Sequence, residues 1–227
     1  MNSVSIMTYF KRILTMIALV ISVLVVQIPV EIIASSNAKG LSLIALGLLY
    51  IGGFVFFIWL AYLANQRIFK KSLQKLTKND FKLAGKALLL FYVVEICLST
   101  LNLLIYKESG TENNKEILSL LQSNPSVLVL MSITMVLFSP ILEELVFRGF
   151  LIKGLVPHNK PFIAMVASGV LFSLGHASSN VISFMIYAAL GMILAYLYLK
   201  TDKIEIPILL HFLNNLIATI IMVATLV

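Results

Sequence analysis

The sequence predicts an all-α, polytopic membrane protein: a bundle of about seven transmembrane helices with a cytoplasmic N-terminus. Of its 227 residues, 60% are hydrophobic and only 12% are charged, and the mean hydropathy is +1.01. These values lie far from those of soluble globular domains. The apolar residues also form long runs, and about 20 such residues in a helix cross the hydrocarbon core of a bilayer.

Seven runs are long enough to be spans, three in residues 1–125 and four in residues 126–227, which we expect to form the catalytic bundle. The first run follows Lys11-Arg12 and is too long for the core of a signal peptide. A short amphipathic piece at residues 117–121 is expected at the membrane interface. The predicted spans are residues 12–34, 42–65, 84–106, 126–153, 161–179, 181–199 and 205–226.

The charges between the runs predict the orientation. Loops rich in Lys and Arg stay in the cytoplasm, whereas the loop at residues 107–125 carries three glutamates and is expected outside. The net charge of +7 is therefore interpreted as a cytoplasmic face, or as a surface for anionic lipids, and no nucleic-acid partner is expected. The basic loop contains Arg67, Lys70, Lys71, Lys75, Lys78, Lys82 and Lys86 against Asp80.

Neither a disulfide nor a reactive thiol is expected to contribute to the fold or the function. The single cysteine, Cys97, lies in an apolar run and excludes an intramolecular disulfide. We interpret it as a packing residue.

Ionisable residues within the last four runs form the candidate site, because charges in a membrane are costly and mark functional sites. Residues four apart share a helix face, so Glu144 and Arg148 predict an ion pair, while Glu143 points about 100° away. Glu143 is then the candidate general base or acid. Alternatively, both glutamates pair with Arg148 and only hold helices together. Pro140 is expected to kink the helix just before the acidic pair.

Three further polar residues lie on later spans. His211 and Asn215 share a helix face, and His176 lies on the fifth run, where a lone histidine can also be a plain interhelical hydrogen bond. At 1.5 Å of rise per residue, Glu143 and His176 reach a similar depth of roughly 15 to 22 Å. His211 is expected to be shallower, unless residues 203–207 dip into a cavity.

Two other acids in the apolar runs need partners or solvent. Glu31 is expected to reach the membrane interface. Glu95 is expected to meet a polar group on another helix, with Asn102 and Arg148 as the candidates. His158, in a polar loop, is interpreted as a surface residue.

The three motifs together resemble those of the CPBP family of intramembrane proteases, which includes type II CAAX prenyl proteases, bacteriocin-processing and bacteriocin-immunity proteins, and Abi proteins. The resemblance covers residues 126–220, and the first three spans carry none of it. The matching motifs are Glu143-Glu144-x-x-x-Arg148, Phe172-x-x-x-His176 and His211-x-x-x-Asn215.

The resemblance implies an endopeptidase of the bacterial cell membrane that hydrolyses a peptide bond in a membrane-associated peptide or protein. It implies that Glu143 and His176 activate water, that His211 and Asn215 stabilise the oxyanion, and that the pair Glu144–Arg148 supports the site. All six are candidate catalytic residues.

The family is also described as metal-dependent, so two mechanisms stay open. Glu143, His176 and His211 could hold zinc with a position left for water. Metal-free catalysis by a glutamate is the alternative, and the chemistry mildly favours it, because Glu144 is already tied to Arg148 and asparagine is a weak zinc ligand.

A rival hypothesis is a non-proteolytic membrane protein that uses the same cavity to bind a membrane-protein partner. A bacteriocin self-immunity factor and a regulator of a membrane sensor kinase are the two forms considered. No feature of the sequence indicates an isoprenoid pocket.

Overall fold

The computed structural model describes residues 5–36, 38–70 and 72–226, and the regular elements in these ranges are all helical. The all-α prediction is thereby confirmed. The elements are α1 (Ile6–Val25), α2 (Ile28–Ser36), α3 (Gly40–Ile68), α4 (Lys78–Tyr106), α5 (Glu112–Ser123), α6 (Pro125–Ile133), π1 (Thr134–Phe138), α7 (Ser139–Glu144), π2 (Leu145–Phe150), α8 (Leu151–Leu155), α9 (Pro161–Leu174), α10 (Val181–Thr201) and α11 (Glu205–Ala224).

Six helical stretches among the described residues are long and apolar enough to cross a membrane. A seventh apolar helix, α9, is shorter, so the prediction of about seven spans agrees with the structure. The first stretch is interrupted between α1 and α2. Pro29 explains the break, because its ring clashes with the carbonyl four residues earlier and it has no N–H to donate.

The predicted span at residues 161–179 is too long, because α9 ends at Leu174 after 14 residues. The N–H of Gly175 bonds to the carbonyl of Phe172 at 3.2 Å, which tightens the last turn. The chain then contacts the first turn of α5, where the N–H of Asn113 donates to the carbonyl of Ala177 at 3.0 Å.

Helix α9 packs closely on α10 through two glycines. A methyl group on Gly191 would lie 2.8 Å from the Cα of Gly169, and one on Gly169 would lie 2.7 Å from the carbonyl oxygen of Ala188. Small residues at such a crossing let two membrane helices approach backbone to backbone. This contact fixes α9, and the histidine that follows it, against the rest of the bundle.

The long stretch at residues 125–155 is one continuous helical path with two π-helices in it. Pro140 lies in the first turn of α7, between π1 and π2. A kink was expected at Pro140, before the acidic pair. The structure has a π-helix, π1, directly before the turn that contains Pro140. A π-helix has more residues per turn than an α-helix and is frequent at functional sites.

The basic residues lie at the end of α3, in the loop that follows and at the start of α4, and among them Lys71 lies outside the described residues. This end of the bundle is joined to the turn before α11, since Lys203 Nζ lies 2.7 Å from Asp80 Oδ2. The cytoplasmic location of this loop remains a prediction.

Candidate active site

The acidic pair lies at the end of α7 and is buried, with Glu143 8% and Glu144 0% exposed. Arg148, also 0% exposed, donates from Nη1 to Glu144 Oε1 at 2.9 Å and from Nη2 to the carbonyl of Gly191 at 3.0 Å. The ion pair predicted from the four-residue spacing is therefore present. It joins the acidic pair to the crossing of α9 and α10.

The Glu143 carboxylate faces a different set of groups. Its Oε1 accepts a hydrogen bond from Ser139 Oγ at 2.5 Å. Its Oε2 is buried and makes no hydrogen bond within the described part of the chain. The nearest ionisable partner of that oxygen is His211, whose Nε2 lies 3.9 Å away. The two glutamates thus do not share Arg148 through hydrogen bonds, and Glu143 keeps one oxygen available.

His211 is oriented by the other glutamate. Its Nδ1 lies 2.9 Å from Glu144 Oε1, and an ionised carboxylate only accepts, so Nδ1 carries the proton. In the neutral imidazole the lone pair is then on Nε2, the atom that faces Glu143. The 3.9 Å gap between the two acceptors is too long for a direct hydrogen bond and suits one bridging water.

Of the two alternatives for His211, the structure agrees with the second, in which the segment before it enters the bundle. Helix α11 begins at Glu205 after a short turn from α10, and Ile206 and Pro207 are already buried in the bundle. The helix therefore starts within the packed part of the protein. His211 follows less than two turns later, at the level of Glu144.

His176 lies just beyond α9, between two rings. Its imidazole is 4.5 Å from the Phe172 ring and stacks on Tyr187 at 4.5 Å and 19°. Its Nδ1 lies 2.8 Å from the Phe172 carbonyl, which only accepts, so this nitrogen carries the proton. Among the described residues it has no hydrogen bond with Glu143. Its role as partner of Glu143 stays a prediction.

The ring of Phe172 contacts both histidines. This fully buried ring lies 4.5 Å from the His176 ring, 5.6 Å from the His211 ring and 4.5 Å below the Arg148 guanidinium carbon. Aromatic edges and faces bind such groups without competing hydrogen bonds. The motif phenylalanine is thus an apolar wall that separates the histidines and excludes water from the ion pair.

Asn215 binds the backbone of π1. Its Nδ2 donates to the carbonyl of Met135 at 2.9 Å, and its Oδ1 accepts from Asn214 at 3.3 Å. One amide proton is therefore engaged away from the gap between Glu143 and His211. The expected contribution of Asn215 to the oxyanion is still a prediction, but the observed contact stabilises the helix that carries the acidic pair.

Residues outside the predicted set also contact the site. Ser139 could have been found, because it precedes Glu143 by four residues on one helix face. Tyr187, which holds its ring on His176 and its hydroxyl 2.7 Å from Thr111 Oγ1, comes from a helix with no polar pattern. Asn65 on α3 contacts π2 from a distant part of the sequence, which spacing alone does not reveal.

The two acids of the N-terminal part lie outside the site. Glu31 is exposed on α2, as a residue that reaches the interface would be. Neither partner expected for Glu95 is observed. Asn102 donates to the carbonyl of Glu108, and Arg148 binds Glu144 and Gly191. The half-buried Glu95 carboxylate is close enough to act electrostatically on Tyr187.

The residues proposed as zinc ligands do not form a ligand cluster. No three His, Cys, Asp or Glu side chains converge as a metal site within the described ranges. Protein zinc sites take three or four such ligands at about 2.0 to 2.3 Å. In the geometry observed here, His211 uses Nδ1 on Glu144, and only Glu143 Oε2 and His211 Nε2 face each other. This donor set does not fit a three-ligand zinc centre.

Comparison with known proteins gives a family match in the C-terminal part of the chain and a similarity to a curated bacterial protein. The family model of Rce1-like type II CAAX prenyl endopeptidases matches residues 125–217. The "Putative membrane peptidase YdiL" of Bacillus subtilis (strain 168) is 33% identical over 105 residues, which are 46% of this chain and 41% of that protein. The match spans less than half of the relative. No solved structure matches.

The family model spans the three motifs, and its first residue is the first residue of α6. Helices α1 to α5 lie outside it. The apolar helices make the chain a multi-pass membrane protein. Residues 125–217 are thus similar to the Rce1-like type II CAAX prenyl endopeptidases, in agreement with the resemblance to CPBP proteases that the three motifs carry.

Proposed function

We propose that the protein is an intramembrane endopeptidase that hydrolyses a peptide bond in a membrane-associated peptide or protein. One observation carries this proposal: the buried, unbonded Oε2 of Glu143 lies 3.9 Å from Nε2 of His211. Each group is oriented through its other atom, Glu143 by Ser139 and His211 by Glu144. Two fixed acceptors that converge on one gap are suited to hold and deprotonate a water.

In the proposed reaction, a water in this gap donates hydrogen bonds to Glu143 Oε2 and His211 Nε2. Its oxygen attacks the carbonyl carbon of the peptide bond, and Glu143 takes the proton. The tetrahedral intermediate then collapses, the C–N bond breaks, and Glu143 passes the proton to the leaving amine. The distances favour His211 over His176 as the imidazole that shares the water. His176, with Nε2 free to accept, is proposed to bind the substrate beyond Phe172.

We further propose that the reaction uses the glutamate without a metal ion. The donor set supports this, because no third ligand joins Glu143 and His211 within the described residues. Purified enzyme is expected to keep its activity after treatment with a zinc chelator. Stoichiometric zinc in the purified protein, lost together with activity on chelation, would overturn the metal-free mechanism.

The test of the proposed function is a comparison of membrane proteomes from cells with wild-type protein and with Glu143→Gln. The wild type should produce cleaved membrane peptides whose yield falls about 100-fold or more in the variant, the usual contribution of a general base. Glu31→Gln, which changes an exposed acid on α2, is the matched control and should cleave normally.

Equal cleavage by wild type and Glu143→Gln would refute the proposal. A binding role in bacteriocin immunity or in regulation of a sensor kinase predicts a different pattern. In that case the cellular phenotype would persist in Glu143→Gln cells, with no change in the peptide products.

A further inference from the structure

We infer that Asn65, on α3 and outside the matched segment, is a positioning residue for the proposed hydrolysis. Its side-chain amide fixes the backbone of π2 directly after Glu144, and through it the orientation of His211. This inference rests on the proposed function. It assigns a role in the reaction to the N-terminal part of the protein, which carries none of the family motifs.

The contacts of Asn65 connect two helices. The residue is 4% exposed, and its Nδ2 donates to the carbonyl of Ala61 at 2.8 Å and to the carbonyl of Leu145 at 2.9 Å. Ala61 is on its own helix, whereas Leu145 is the first residue of π2. The regular hydrogen-bond ladder of a helix is altered in a π-helix, and an inserted side-chain donor stabilises that shape.

The orientation of the amide is dictated by its neighbours. Both nearby groups are carbonyl oxygens, which only accept, so the NH2 group must face them. The Oδ1 atom then lies against Gly149, where an added Cβ would be 2.4 Å away, and it has no hydrogen-bond donor. A buried acceptor without a partner is unfavourable, and its cost offsets part of the stabilisation that the two bonds from Nδ2 provide.

Two steps link the Asn65–Leu145 hydrogen bond to the gap between Glu143 and His211. Leu145 follows Glu144 in the chain, and Glu144 Oε1 binds both Arg148 Nη1 and His211 Nδ1 at 2.9 Å. A shift of the Leu145 carbonyl therefore moves the carboxylate that orients the imidazole. Displacement of a catalytic group by about 1 Å can cost a hundredfold in rate.

The test is Asn65→Leu, which keeps the branched shape and removes the donor. The change removes two amide hydrogen bonds but also an unpartnered buried oxygen, so these effects oppose each other and the melting temperature should change little. The kcat should fall on the order of tenfold or more, with KM within about twofold because the gap itself is intact. Hydrogen exchange of the amides in residues 145–150 should accelerate.

Asn102→Leu is the matched control, since Asn102 is a buried asparagine on α4 whose Oδ1 also lacks a partner. It should leave kcat unchanged. A wild-type kcat in Asn65→Leu, or an equal loss in Asn102→Leu, would overturn the inference.

Gly149→Ala gives an independent test. Its methyl group would push the Asn65 amide away from Leu145 and lower kcat, whereas in Asn65→Ala/Gly149→Ala the methyl meets no amide oxygen. The double variant should therefore be no slower than Asn65→Ala, a non-additive result. Additive losses would contradict the proposed contact.

Failure of this inference can be distinguished from failure of the proposed function. If Glu143→Gln cleaves like the wild type, the proposed function fails and the role of Asn65 fails with it. If Glu143→Gln is inactive while Asn65→Leu has the kcat of the wild type, only the role of Asn65 is overturned.

Discussion

At the scale of single residues, the site depends on a carboxylate with two donors. Glu144 Oε1 receives the guanidinium of Arg148 and the imidazole of His211, both at 2.9 Å. The spacing of Glu144 and Arg148 was enough to predict one of these bonds, because both residues lie on one helix. The bond to His211 crosses between helices, and helix depth estimated from the sequence left two alternatives for the level of that histidine.

Loss of one member of the buried ion pair should be costly. Glu144→Gln leaves the fully buried Arg148 charge uncompensated, and the free energy of unfolding should fall by about 3 to 5 kcal/mol. Denaturation in detergent measures this change. The double variant Glu144→Leu/Arg148→Leu should lose less than either single leucine variant, since no lone charge remains. A larger loss of unfolding free energy in the double variant would show that an uncompensated charge is not the cause of the destabilisation.

Ser139 should affect rate more than binding. Ser139→Ala removes the donor to Glu143 Oε1, so the carboxylate can rotate away from His211. We expect kcat to fall about tenfold with KM unchanged, measured on a peptide substrate found by the proteome comparison. Ser139→Thr, which retains a hydroxyl, should recover most of the rate. An unchanged kcat in Ser139→Ala would show that this hydrogen bond does not orient the base.

At the scale of elements, long apolar helices were predictable and local deviations were not. The ends of α3, α4 and α10 lie within a few residues of the predictions, except that α4 begins six residues earlier, at Lys78. This start is set by a capping box, in which Thr77 and Asp80 bond each other's backbone N–H groups. The two π-helices could not be read from hydrophobic periodicity. In π2, for example, all six residues are buried, so no exposed face marks the helical period.

The crossing of α9 and α10 should be sensitive to a single methyl group. Gly191→Ala places Cβ 2.8 Å from the Cα of Gly169, so the helices must separate, and Arg148 loses its bond to the Gly191 carbonyl. The melting temperature and the cleavage rate should both fall. Gly85→Ala, where an added Cβ meets nothing within 4 Å, is the control and should lower neither, because alanine favours the interior of a helix.

At the scale of the whole molecule, the charge pattern predicts that the N-terminus and the basic loop are cytoplasmic and the C-terminus is outside. Single cysteines in a Cys97→Ser background can test this in intact cells. A cysteine at Leu73, an exposed residue of the basic loop, should react with a membrane-impermeant maleimide only after permeabilisation.

A cysteine at Lys107, in the loop before α5, should react in intact cells. It serves as the control for reagent quality and expression. Reaction of the cysteine at Leu73 in intact cells, with none at Lys107, would invert the topology.

The shortness of α9 has a consequence for the surrounding lipid. Its 14 residues extend about 21 Å at 1.5 Å per residue, whereas the hydrocarbon layer is about 30 Å thick. Thinning of the bilayer is one response to such a short helix, and it costs a fraction of a kcal/mol per ångström of mismatch. Hydrolysis consumes one water per bond, and a thinned layer next to His176 shortens the path of that water from bulk solvent. Vesicles of longer-chain lipids should therefore slow the proposed hydrolysis.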